Sequence, residues 1–270
     1  MHEALPVIGI TMGDPVGVGP EVVIKALAQS EFRKICRPIV IGDARLLSRI
    51  ADEFSVHRPI VVIDKPGDAE ATRDAIQVVD ASRLELDKLR WGHPTSATGQ
   101  AMVAYIEKAV SWALEGAIDG IVTGPVNKVA MKMGGSRFAG HTELLAHRTG
   151  SRQYAMLMAA ERLRVILVTI HIPLKDVPSR LSRAAVAETI QLAHHGLQEL
   201  YGIASPRIAV AGLNPHAGES GLFGDEETTV IAPAVAEACR AGLDVAGPLP
   251  PDTVFYHAAA GKYDLVVCMY

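Results

Sequence analysis

Short apolar runs alternate with helical patterns along most of the chain. Val7-Ile8-Gly9-Ile10-Thr11-Met12, Pro38-Ile39-Val40-Ile41-Gly42-Asp43 and Pro59-Ile60-Val61-Val62-Ile63 read as short buried strands bounded by turn residues. Helices are expected over residues 21–29 and 44–53, the first opened by Pro20 and Glu21 as a normal helix start. Residues 64–98 are more polar and read as irregular, and a long helix over 97–116 ends at Gly116. Gly120-Ile121-Val122-Thr123 is a strand, followed by a turn and a further helix. The second half keeps the rhythm, with helices over 142–148, 183–201 and 226–241. Strands are expected over 154–158 and 163–174, at Arg207-Ile208-Ala209-Val210, and at Tyr263-Asp264-Leu265-Val266-Val267-Cys268-Met269-Tyr270. Gly247-Pro248-Leu249-Pro250-Pro251-Asp252-Thr253-Val254-Phe255 reads as a loop entering an extended segment. Strands alternating with helices predict parallel sheets with crossover helices, an α/β fold. A change of domain is expected after Asn127, giving domains 1–127 and 128–270.

Composition narrows the class. The chain has 270 residues, 49% of them hydrophobic and 21% charged, as in an ordinary globular protein. A net charge of −4 leaves no basic footprint, so nucleic acid is not an expected partner. Cys36, Cys239 and Cys268 are far apart and form no C-x-x-C, which points to a reducing compartment. No apolar run approaches the roughly 18 residues of a membrane span. The start, Met1-His2-Glu3-Ala4-Leu5-Pro6, lacks the basic and apolar regions of a signal peptide. A soluble cytoplasmic protein without membrane contact is expected. The apolar run that ends at Tyr270 has backbone groups that need partners, and further chain is expected beyond it.

Candidate chemistry gathers where strands end. In open α/β sheets, ligands bind beyond the carboxyl ends of the strands. His216 lies in such a loop, within Gly212-Leu213-Asn214-Pro215-His216-Ala217-Gly218-Glu219, and His171 closes its strand just before Pro173. His141 stands in Phe138-Ala139-Gly140-His141-Thr142-Glu143. Imidazoles converging from strand ends suit a metal ion or an anionic substrate. Thr123-Gly124-Pro125-Val126-Asn127-Lys128 offers a hydroxyl, helix-start N–H groups, an amide and a cation, which suits an anion. A capped helix with a solvated lysine explains that stretch equally well, and Thr142 as a helix cap with His141 in solvent explains the other. Glu219 is either a partner to a histidine or simply exposed, and Asp252 either a turn residue or a site carboxylate. Gly13-Asp14-Pro15-Val16-Gly17-Val18-Gly19-Pro20-Glu21 fails the dinucleotide fingerprint, because Val22 stands where G-x-G-x-x-G needs its last glycine. It reads better as a tight strand-to-helix turn. His194 and His195 are adjacent on one helix and cannot face one metal together.

Taken together, the stretches at 13–21, 123–128, 140–143, 212–219 and 251–255 closely resemble the 4-hydroxythreonine-4-phosphate dehydrogenase family of vitamin B6 biosynthesis. The resemblance runs over the whole chain. It implies a two-domain α/β/α fold like that of isocitrate and isopropylmalate dehydrogenases, a homodimer, and an active site in the interdomain cleft. It implies NAD or NADP as cofactor, with a divalent metal (zinc, magnesium or cobalt) held by three histidines. Two of these match His171 and His216. The third belongs to a Tyr-His-Asp-Gln-Gly motif whose tyrosine is Tyr270, so it is expected immediately after that residue. Substrate contacts match His141, Thr142 and Asp252. The implied reaction oxidises the C3 hydroxyl of a small phosphorylated hydroxy acid, 4-phosphooxy-L-threonine, and then releases CO2. A sister group that oxidises 4-phospho-threonate or 4-phospho-erythronate is similar at Thr11-Met12-Gly13-Asp14-Pro15 and Gly221-Leu222-Phe223-Gly224. Two readings from other classes stay open: a metal-dependent hydrolase, and a non-catalytic metal-binding subunit.

Overall fold

A computed structural model describes residues 5–70, 74–138 and 140–270. Met1 to Ala4, read above for the absence of a signal peptide, and Ala139 lie outside the described residues. The chain divides into two units, residues 1–151 and 152–270.

The first unit is built on strands β1 (Val7–Thr11), β2 (Arg37–Gly42), β3 (Ile60–Val62), β4 (Ile76–Asp80) and β5 (Gly120–Thr123). They form one sheet in the order β3-β4-β2-β1-β5, with every pairing parallel. β2 is apolar on both faces, as expected of a strand with helices on either side. Helices α1 (Gly19–Leu27), α2 (Ala44–Glu53) and α3 (Ser96–Leu114) make the crossovers. Asp43 accepts from Leu46 N at 3.0 Å and so caps α2. Thr95 and Thr98 form a capping box that starts α3. One stripe of α3, with Ala101, Tyr105 and Ala109, packs into the core with Met12, Ile24, Ile39 and Leu47. The adjacent stripe, Met102, Ile106 and Val110, packs against Ala130, Met131 and Leu144. Those partners belong to α4 (Lys128–Met133) and α5 (His141–Thr149). That packing is why the first unit runs on to Ser151 instead of ending at Asn127, where the sequence placed the boundary.

Within the supposedly irregular stretch 64–98 lies β4. Its buried Gln77 hid the strand pattern. The amide accepts from Glu70 N and donates to Glu70 O, both at 2.9 Å, so a polar side chain is satisfied inside the sheet.

The second unit holds β6 (Met156–Ala159), β7 (Arg164–Leu167), β8 (Arg207–Ala211), β9 (Asp244–Leu249) and β10 (Leu265–Cys268), in the order β6-β7-β10-β8-β9. β7, β10, β8 and β9 are parallel neighbours. β6 is not parallel: it returns antiparallel along β7 through a tight turn, with Ala160 N donating to Leu163 O at 2.8 Å. The short α6 (Val177–Arg180) leads to α7 (Arg183–Tyr201), capped by Ser182 and closed by a left-handed Gly202. One wide turn over Glu227–Ile231 precedes α8 (Ala232–Arg240). The segment expected to be extended at 254–255 opens α9 (Val254–Ala259) instead, while the strand lies earlier, in β9. Among the described residues no helix is long and apolar enough to cross a membrane.

A charge pair ties β10 to β8. The Asp264 carboxylate accepts from Arg207 N, Nε and Nη2 at 2.8, 3.1 and 2.9 Å. The hydrogen-bonded Arg207 guanidinium holds the Asp264 carboxyl below its usual range, against the opposing effect of partial burial. A depressed carboxylate pKa stabilises the fold above the unfolded-state value, and that stability is lost as pH falls through the folded-state value. Asp264→Asn is therefore expected to melt below the wild-type protein at neutral pH, with the gap closing in acid. Thermal melts of both proteins along an acid series check this, and a gap independent of pH would count against it.

Candidate active site

Four parallel strands of the second sheet end side by side, and the loops that leave them carry the polar candidates. Past β7, Val168 N and Thr169 N continue the ladder to Cys268 O and Met269 O at 2.9 and 3.1 Å. Thr169 Oγ1 adds a 2.7 Å bond to Met269 O. The ladder then stops, and His171 turns outward, exposed, at φ 56°. Past β8, Gly212 N donates to Leu249 O at 2.8 Å, and the chain enters the loop that carries His216. Past β9 comes Asp252, exposed in the turn before α9. β10 runs between β7 and β8 and ends beside both histidine loops. The structure thus brings His171, His216 and Asp252 to one edge of one sheet.

The His216 loop has an unusual backbone. His216, Ala217, Gly218, Glu219 and Ser220 have φ of 55°, 53°, 77°, 42° and 60°. Each non-glycine residue held in this left-handed region costs roughly 1–2 kcal/mol. Such strain persists only where the surroundings over-determine it. Here the anchor is Glu227, only 2% exposed. Its Oε1 accepts from Leu213 N and Asn214 N, both at 2.7 Å, and its Oε2 from Asn214 Nδ2 at 3.0 Å. Glu226 Oε2 accepts a second bond from Asn214 Nδ2 at 2.7 Å. A Cβ on Gly218 would stand 2.6 Å from Glu227 Oε2, so only glycine lets the loop close over the carboxylate. Sequence reasoning missed Glu227, because an acidic residue in a first helical turn is ordinary. Glu219, a candidate partner for a histidine, is exposed. His216 also has a ring neighbour, Phe223, 6.1 Å away.

The first unit contributes a second cluster. The loops after β1 and β5 lie against each other, with Asp14 N donating to Pro125 O at 3.0 Å and Gly124 N to Thr11 O at 2.9 Å. Gly19 approaches Met12 O so closely that a Cβ would be 2.4 Å away, which makes Gly17-Val18-Gly19 a close-packed turn into α1. Asn127 caps α4 by accepting from Val129 N and Ala130 N, at 3.0 and 3.1 Å, and is occupied by that task. Lys128 is exposed, and its Cε lies 4.0 Å from where a Cβ on Gly140 would stand. Gly140 is the N-cap of α5 and offers no side chain to it. Thr142 is therefore not the cap. His141 and Thr142 are half-buried in the first turn, beside uncapped N–H groups that suit an anion.

Burial pushes the Cys268 thiol up to about 12, so it stays protonated near neutrality and is a poor metal ligand. Burial, and then the neighbouring His195, lower the pKa of His194. His194 Nδ1 is buried without a hydrogen-bond partner in the middle of α7, away from the strand ends.

Among the described residues no three His, Cys, Asp or Glu already form a group able to hold a metal. Two imidazoles nonetheless flank the end of β10 from the strands on either side. That donor type suits zinc or a similar divalent ion.

Two α/β units, one with histidines at the ends of the two parallel strands that flank β10, define an α/β protein with its candidate site at strand ends. Comparison with known proteins makes the assignment specific. Residues 34–270 match the family described as pyridoxal phosphate biosynthetic protein PdxA, and the chain belongs to that family. It is 50% identical over 270 residues to a 4-hydroxythreonine-4-phosphate dehydrogenase from Desulforapulum autotrophicum, covering 100% of this chain and 79% of that protein. It is 47% identical over 272 residues to a D-threonate 4-phosphate dehydrogenase from Cupriavidus necator, covering 100% of this chain and 81% of that protein. A crystal structure of a 4-hydroxythreonine-4-phosphate dehydrogenase from Klebsiella pneumoniae superposes with a TM-score of 0.93 at 42% identity, covering 100% of this chain and 81% of that one.

Proposed function

We propose that this protein is a dehydrogenase that uses NAD or NADP and a divalent metal to oxidise the C3 hydroxyl of 4-phosphooxy-L-threonine. The placement of His171 and His216 on either side of β10 carries the reading. These two residues would hold the metal. The bound ion supplies Lewis-acid charge next to the reacting hydroxyl. His141 and Thr142 hydrogen-bond the substrate, and the first-turn N–H groups of α5, with Lys128, attract its anionic end. Asp252 accepts from the polar group on C2. When bound, NAD or NADP would supply the hydride acceptor for C3, and the hydroxyl proton would pass to water, so that the substrate becomes a 3-oxo acid. A β-keto acid of this kind readily loses CO2, and C2 takes up a proton. The protein acts in the cytoplasm as a homodimer, with zinc, magnesium or cobalt as metal.

The sister reaction on D-threonate 4-phosphate is the second reading, favoured by the 47% identity to a relative of that name. The two substrates differ at C2, amino against hydroxyl, and the carboxylate of Asp252 is a countercharge for the amino form. Incubation with each substrate, each nicotinamide and each metal tests the proposal. The expected result is reduced nicotinamide and CO2 in equal amounts, with kcat/KM higher for the amino acid. Phosphate release without nicotinamide reduction would establish the metal-dependent hydrolase instead. Metal binding without turnover of any of these substrates would establish the non-catalytic subunit.

A further inference from the structure

We infer that Glu227, acting through Asn214, is the positioning residue for the His216 imidazole; this rests on the proposed role of His216 as a metal ligand. The loop from Leu213 to Gly221 leaves β8 and passes through a run of left-handed residues that includes His216. Besides the bonds within the loop's own helical turns, Ala217 N donates to Asn214 O at 3.1 Å, Phe223 N to Gly218 O at 3.2 Å and Leu222 N to Glu219 O at 3.3 Å. Left-handed non-glycine residues persist only where their surroundings over-determine them, which calls for an anchor outside the loop. Glu227 provides it from the first turn after the loop, with both carboxylate oxygens engaged.

The anchor grips the residues immediately before Pro215, whose ring fixes φ there. The position of Asn214 is therefore passed directly to His216, two residues on. Glycines at 212, 218 and 224 let the backbone close around the side chains of Asn214, Glu226 and Glu227. A Cβ at Gly224 would stand 2.5 Å from Asn214 Nδ2 and 2.6 Å from Glu226 Oε2. Glu227 bonds the backbone that carries His216 and not the imidazole itself; loss of a carboxylate bonded directly to a ligating imidazole typically weakens metal binding about 10–100-fold, which sets the scale.

Glu227→Gln is the sharpest probe. The glutamine carbonyl can still accept from Leu213 N and Asn214 N, but its NH2 faces Asn214 Nδ2, donor against donor. Titration calorimetry with cobalt is expected to show metal affinity weakened roughly tenfold or more. The melting temperature should stay close to wild type, kcat should fall, and KM for the phosphorylated substrate should change little. Combining Glu227→Gln with Glu226→Gln and Asn214→Asp reverses every donor and acceptor in the side-chain bridge, and should restore affinity and kcat together. If Glu227→Gln does not fold, Asn214→Ala leaves both backbone bonds to Glu227 intact and should show the same paired loss, smaller in size. Wild-type affinity and kcat in whichever variant folds, with only the melting temperature lowered, would overturn the inference and leave Glu227 a purely structural residue. Failure of the wild-type chain to bind any divalent metal would instead overturn the metal reading of His216 itself.

Discussion

His216→Ala is expected to reduce turnover by roughly 10^3-fold or more, a loss larger than the ~10–100-fold that removal of an outer-shell partner brings. The fold should be unaffected. The imidazole is exposed, and its ring contact is with Phe223, itself at the surface. Alanine and histidine meet the same steric opposition at φ 55°, so the loop keeps its conformation. His216→Gly sharpens the test, because glycine adopts this φ freely. It should be as inactive as the alanine variant and at least as stable as wild type. Activity and stability then move in opposite directions, as expected where strain is held at a functional position. Cobalt affinity, turnover and thermal melting of the three proteins decide the matter. Unimpaired turnover in His216→Ala would remove His216 from the site. A parallel collapse of stability in both variants would make it a structural residue.

Much of this site could be read from the sequence because position in an α/β sheet has meaning. His171 and His216 each follow a strand pattern directly, and such loops hold ligands; Asp252 follows β9, which showed no strand pattern. Direction and register were less accessible. Hydrophobic period does not distinguish parallel from antiparallel strands, so β6 was taken as one more parallel strand. The connection to β7 carries the signal, since a parallel partner needs a crossover of a dozen residues or more. β9 was hidden by Gly247 and Pro248, which read as loop chemistry, yet β9 is the last strand of its sheet, where proline is tolerated. Glu227 was invisible for a different reason. Only the return of the chain from the His216 loop into the turn before α8 places its carboxylate against Leu213 and Asn214. The left-handed run at residues 216–220 is likewise a product of that closure, since three of its five members are residues with no local preference for it.

Gly99→Ala is expected to produce the largest loss of stability of any single methyl addition considered, about 1–2 kcal/mol net. Gly99 sits in the first turns of α3, where α4 crosses it. A Cβ there would stand 2.0 Å from Ala130 O and 2.8 Å from Gly134 N, both backbone atoms that no side-chain rotation can move. Gly134 meets α3 just as closely, with a Cβ 2.4 Å from Gly99 C. Overpacking of this kind costs about 1–3 kcal/mol and occasionally more, while alanine returns about 1 kcal/mol of helix propensity. The clash should win. Gly196→Ala is the matched control: it lies within α7 with nothing inside 4 Å of its Cβ, so only propensity acts and the protein should gain about 1 kcal/mol. One substitution in two helices thus has opposite signs, decided by what crosses the helix. The consequence for function follows from what α4 carries. Displacing α4 from α3 moves Lys128 and disturbs the packing of Leu144 in α5, and with it His141 and Thr142. A shift of 1 Å in a positioning group can lower catalysis by about 10^2-fold. Gly99→Ala should therefore raise KM for the phosphorylated substrate while leaving cobalt affinity unchanged, because the proposed metal ligands His171 and His216 belong to the other unit. Loss of cobalt affinity together with the rise in KM would mean that the two clusters do not act as separate binding elements.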